Sequence, residues 1–160
     1  MAGGATPGRG RAHGEPGSGG AALIRRHRAI GWWSLLVFLS LGLLLEYFHG
    51  FKTGWYLDVD NETRRLLLRL AHTHGAVFAL VHLAFCEGLY RSTVPVAGWG
   101  RMASTCLIAA TVCMPGGFLL GGLFLHGGDP GLGVVLVPVG GLFLLAGIFL
   151  IARALTREPR

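Results

Sequence analysis

The sequence predicts an all-α fold, a four-helix transmembrane bundle, and three observations predict it. Hydrophobic residues fill 52% of the 160 positions and charged residues only 14%, where a soluble domain carries about 25% charged. The charges are also segregated: none lies between Arg28 and Glu46, and Asp129 is the only one between Arg101 and Arg153. Finally, the apolar stretches so defined are long enough to cross a bilayer, which takes about 20 helical residues.

Residues 1–22 are rich in Gly, Ala, Pro and Arg and lack apolar periodicity. They read as a disordered cytoplasmic tail preceding a membrane domain over 23–160. They do not read as a signal peptide, because the apolar stretch that follows is too long and Glu46-Tyr47-Phe48-His49 offers no small-residue cleavage site. The first span is expected at 29–48, with Trp32 and Trp33 at its interfacial start. A polar loop containing Trp55, Tyr56 and Asp58 leads to Asp60 or Asn61, either of which can cap the next helix. The second span is expected at 66–90 and the third at 102–125, with Pro115 in its middle. The fourth is expected at 132–152, with Pro138 in its first half. Both prolines are expected to kink their helices.

Basic residues set the expected orientation. Arg9, Arg11, Arg25, Arg26, Arg28, Arg91, Arg101, Arg153, Arg157 and Arg160 fall on one side, and Lys52, Arg64, Arg65 and Arg69 on the other. The larger set belongs in the cytoplasm. The chain is therefore expected as a multi-pass protein of the inner (plasma) membrane with both termini cytoplasmic, although Arg64, Arg65 and Arg69 dissent. The same distribution accounts for the pI near 10 as topology and contact with the lipid bilayer, without nucleic acid. Cys86, Cys106 and Cys113 lie inside apolar segments without a CxxC pair. They describe neither a disulfide framework nor a zinc ribbon.

With that orientation, Glu46, His49, His72, His74, His126 and Asp129 approach one face of the membrane, and His82 lies deeper. At about 100° per residue, His72, Gly75, Ala79, His82 and Cys86 share one stripe of the second span, and His74 points away from it. Small and polar residues on one stripe face the protein interior. His72 is therefore the principal candidate ligand for a haem b or a transition metal, with His82, His74, His49 and Glu46 completing a cofactor set. A metal alone would draw on His72, His49, Glu46 and His126. Glu46 and His49 have Glu-x-x-His spacing, but a di-iron centre requires a second copy, which is missing. The competing reading is that each His hydrogen-bonds a neighbouring helix. His27 is assigned to the cytoplasmic tail, with no part in the site.

Gly117 and Gly121 form a GxxxG spacing that lets helices approach closely, within the bundle or at a homodimer face. The run from His126 to Gly133 is a tight turn by composition and lacks the Gly-Lys-Ser/Thr ending of a phosphate loop.

The segment Glu62-Thr-Arg-Arg-Leu-Leu-Leu-Arg-Leu-Ala-His72-Thr-His74-Gly75 resembles a run in a group of small, uncharacterised four-span bacterial integral membrane proteins. Gly128-Asp129-Pro130-Gly131 and Val137-Pro138-Val139-Gly140 are similar to the same group. The resemblance covers roughly the last two thirds of the chain and implies the fold without an activity. The His-x-His within a span also resembles haem- and copper-binding helices of respiratory membrane proteins, whose remaining ligands have no counterpart here. Three functions follow as expectations. The first is a haem- or metal-binding membrane protein, the second an accessory subunit of a larger membrane complex, and the third a small oligomeric transporter or channel. Transport has the least support, since the inner halves of the spans offer only His82, Glu87 and a few hydroxyls. No nucleophile with a base and an orienting group is visible, so hydrolase chemistry of the soluble type is not expected, and an enzyme is the less favoured reading.

Overall fold

In a bilayer, backbone polar groups must bond within their own segment, so apolar stretches of this length fold as helices. The computed structural model describes residues 18–58, 62–92, 96 and 98–157. Four of its helices are long and apolar enough to cross a membrane. They are α1 (Ser18–Gly50), α3 (Glu62–Arg91), α4 (Trp99–Leu123) and α5 (Leu136–Leu155). A single turn, α2 (Gly54–Leu57), sits in the first connection, and a 3₁₀ turn (Leu132–Val135) leads into α5. No strand occurs among the described residues. The expected residues 1–17 of the tail and the Asp60/Asn61 cap lie outside the described residues.

Helix α1 begins at Ser18, well before the span expected from residue 29. Its 33 residues extend about 50 Å at 1.5 Å per residue, more than the ~30 Å of hydrocarbon. The extra turns carry a buried stripe, Ile24, His27 and Gly31, while Arg25, Arg26 and Arg28 stay exposed. His27, expected in a cytoplasmic tail, is therefore a fully buried helix residue. The correction has a simple cause: three flanking arginines hide a one-sided apolar period of 3 and 4 residues.

The helices lie side by side in chain order. α1 packs mainly on α3, α3 on α4, and α4 on α5, while α1 meets α4 weakly. Among the described residues, no substantial contact joins α1 to α5. Burial follows this order. Only 11% of the apolar window of α1 and of α5 is buried, against 39% for α3 and 33% for α4. The two middle helices form the interior, and the outer two leave most of their apolar surface exposed. Two apolar clusters sit at opposite ends: Ile24, Phe85, Leu89, Ala103 and Leu107 at one, and Leu45, Tyr56 and Leu68 at the other.

Lipid tails are as apolar as leucine, so close packing and hydrogen bonds hold the helices together. Glycines make that packing. A methyl on Gly42 would fall inside the His72 ring, and one on Gly75 would fall inside the Phe38 ring, so α1 and α3 exchange rings into each other's gaps. On α4, a methyl at Gly117 would lie 2.9 Å from the Gly133 carbonyl oxygen. The GxxxG face is thus occupied within the chain, by the start of the fourth span. Pro115 lies inside α4. Pro138 sits in the first turn of α5, where its missing N–H costs no intrahelical bond.

The α4–α5 turn closes with His126 N–H donating to Asp129 O at 3.1 Å and Asp129 N–H donating back at 3.0 Å. Gly127 and Gly128 take φ of 59° and 91°, a left-handed backbone that glycine adopts without strain. At the far end of α1, the Arg64 guanidinium donates to the Trp55 carbonyl at 2.9 Å and lies over its indole at 4.6 Å. Arg65 pairs with Glu62 at 3.1 Å.

Candidate functional site

The most completely buried polar groups of the bundle are His27, His82 and Ser104, each at most 1% exposed. They come from three helices. His27 sits on the inward stripe of α1, and His82 on the predicted stripe of α3, where Gly75, Ala79 and Cys86 are also buried. Ser104 faces them from α4, one turn after its start. The imidazoles meet through Nδ1 at 2.6 Å, with ring centroids 4.8 Å apart. His27 Nε2 lies 2.7 Å from Ser104 Oγ, and His82 Nε2 lies 2.9 Å from Thr111 Oγ1. Thr111 in turn donates to its own helix at Leu107 O, 2.9 Å away. Phe85 closes the cluster, edge-on to His27 at 4.8 Å.

The proton positions follow from the partners, assigned by satisfying every group. Because the Thr111 hydroxyl donates to a carbonyl, it must accept from His82 Nε2–H. His82 Nδ1 is then an acceptor, so His27 donates through Nδ1–H. His27 Nε2 is left to accept from the Ser104 hydroxyl. With both rings neutral, each donor has one acceptor and no charge is buried. The chain runs from α4 through α1 and α3 back to α4. Such a network is stable in a low-dielectric interior only when every member is satisfied.

The expected ligand set is distributed differently. His72 inserts between α1 and α3 with Nδ1 2.6 Å from Phe38 O. His74 faces away from the stripe, as expected, with Nδ1 2.9 Å from Leu70 O and its ring against Phe78 and Phe118. His82 is ten residues from His72, about 15 Å along the helix, too far to share one ion. Glu46 and His49 are exposed near the end of α1. His126 is exposed in the α4–α5 turn. Among the described residues, no three His, Cys, Asp or Glu side chains gather as a metal site.

Sequence reasoning found His82 and its stripe but missed His27, Ser104 and Thr111. The signal for His27 was the Ile24, His27, Gly31 spacing. Nothing in sequence singles out Ser104 or Thr111, because the pairing spans 77 residues from His27 to Ser104 and 29 from His82 to Thr111. Outside the spans, Tyr56 is 3% exposed beneath the first connection, and burial pushes its phenol above the usual value. Comparison with protein-family models, curated proteins and solved structures finds no match.

Proposed function

We propose that this integral membrane protein is an accessory subunit of a larger membrane complex, with histidines that join its helices in place of binding a cofactor. The observation that carries this reading is the saturated His27–His82 chain: its four ring nitrogens are all engaged, and none is left to ligate. The exposed apolar faces of α1 and α5 are the surfaces available to a partner. On this reading the protein resides in the inner membrane with both termini cytoplasmic. Local engagement of Arg64 by Trp55 and of Arg65 by Glu62 accounts for the basic residues that dissent from that orientation.

A second reading, haem or metal binding, is favoured by one observation. His72 and His74 each place Nδ1 on a backbone carbonyl, the arrangement that orients a ligating imidazole and leaves Nε2 for the ligand. One purification from a mild detergent, after expression with haem and metals supplied, separates the two readings. The accessory role predicts a stoichiometric protein partner that is retained in His72→Ala. A Soret band or stoichiometric metal, lost in His72→Ala, would overturn it in favour of the second reading. A protein isolated without partner, haem or metal would overturn both.

A further inference from the structure

A recess of about 250 Å³ opens between α1 and α3 at the arginine-rich end, outside the histidine chain. Its walls are Arg28 and Trp32 from α1 and Leu83, Cys86, Glu87 and Tyr90 from α3. Arg28 is the last charge before the long apolar stretch of α1, and Tyr90 is one residue from the end of α3. The recess therefore lies at the boundary between headgroups and hydrocarbon. Trp32 and Tyr90, 59% and 67% exposed, suit that depth, where amphipathic rings concentrate.

The charges are what distinguish this recess. Arg28 has no ion-pair partner among the described residues. Glu87 gives one carboxylate oxygen to Arg91 and keeps a second. Arg28 and Glu87 line the same recess without pairing with each other. One recess thus holds a cation and an anion apart, between two aromatic rings and above the apolar Leu83 and Cys86. A ligand that fits must carry a negative and a positive group a few atoms apart on an apolar stem.

We propose that this recess binds the headgroup of a zwitterionic aminophospholipid of the phosphatidylethanolamine type. The phosphate meets the Arg28 guanidinium as a charge-assisted hydrogen bond. The ammonium meets Glu87 and the faces of Trp32 and Tyr90. Leu83 and Cys86 take the glycerol end of the chains. A purely anionic headgroup satisfies Arg28 but offers no amine to the Glu87 carboxylate oxygen that Arg91 leaves open.

The test is lipid-dependent thermal unfolding of the full-length, delipidated protein in detergent, titrated with dioleoylphosphatidylethanolamine or dioleoylphosphatidylglycerol. The ethanolamine lipid should stabilise at roughly tenfold lower concentration, equivalent to about 1.4 kcal/mol. Glu87→Gln should remove that preference, while Arg91→Gln, which breaks the same surface ion pair, should keep it. Arg28→Gln should weaken the response to both lipids about tenfold, and Arg28→Lys should restore most of it. Should Arg28→Gln lose helical content without lipid, Arg28→Lys and native mass spectrometry of bound lipid decide instead. Water-soluble phosphoethanolamine at equal concentration should leave the melting temperature unchanged. Equal response to the two lipids, a preference that survives Glu87→Gln, or equal stabilisation by phosphoethanolamine would each overturn the proposal.

Discussion

Two neutral imidazoles can bond only if one donates and the other accepts, so the 2.6 Å contact between His27 and His82 commits both rings. Its consequence is measurable. His27→Ala leaves His82 Nδ1 and the Ser104 hydroxyl buried without partners, each costing roughly 1–3 kcal/mol. His82→Ala orphans the His27 Nδ1–H, while Thr111 keeps its bond to Leu107 O. Each single variant should lower the melting temperature in detergent, and the double variant should cost less than the two singles combined, because no buried nitrogen is then orphaned. Costs that simply add would mean that the rings are not coupled. His126→Ala, in the exposed turn, should melt like the wild type. The residue scale is also where sequence legibility was lowest. His82 was readable because small residues flank it on its stripe. His27 was obscured by arginines on three other faces of the same helix, and the hydroxyl partners are visible only once α4 is docked.

Element boundaries were far more legible, because hydropathy reports where a helix enters lipid. The four long helices overlap the four expected spans, and the differences at their ends have local causes. Helix α1 starts before the expected span because Ile24, His27 and Gly31 form a buried stripe, while the arginines between them stay exposed. The α5 start gained a 3₁₀ turn, because Gly133 nests against Gly117 and Leu120 and draws the chain into the α4 surface. That nesting separates adjacent glycines of α4. Gly117→Leu must displace the Gly133 backbone and should lower thermal stability markedly, by about 2 kcal/mol or more for forced overpacking. A methyl on Gly116 meets nothing within 4 Å. Gly116→Ala should therefore be neutral or stabilising by up to ~1 kcal/mol through helix propensity. Thermal unfolding of the two variants side by side checks this, and equal effects would remove the contact.

At the scale of the whole molecule, the proposed orientation rests on the distribution of basic residues and on the local engagement of those that oppose it. A cysteine introduced at Asp58, in an otherwise cysteine-free background, should react with an impermeant thiol reagent in intact cells. A cysteine at Ser18 should react only after the membrane is opened. The reverse pattern would invert the topology. The expected gathering of Glu46, His49, His72 and His126 assumed that helices ending on one face also converge laterally. Hydropathy fixes depth along the membrane normal but says nothing about lateral order, and a row of helices puts α1 and α5 at opposite edges. The helices were thus readable from the chain, whereas their neighbours were not.

The same side-by-side order bears on how the protein is made. Each span docks chiefly on the one synthesised just before it, so most of the bundle can assemble as the chain leaves the ribosome, without waiting for distant segments. The imidazole pair is an early product of this sequence, formed as soon as α3 joins α1. The Ser104 and Thr111 hydroxyls arrive one helix later. Between those two moments the nascent hairpin carries an incomplete polar chain in the bilayer, and the docking of α4 completes it.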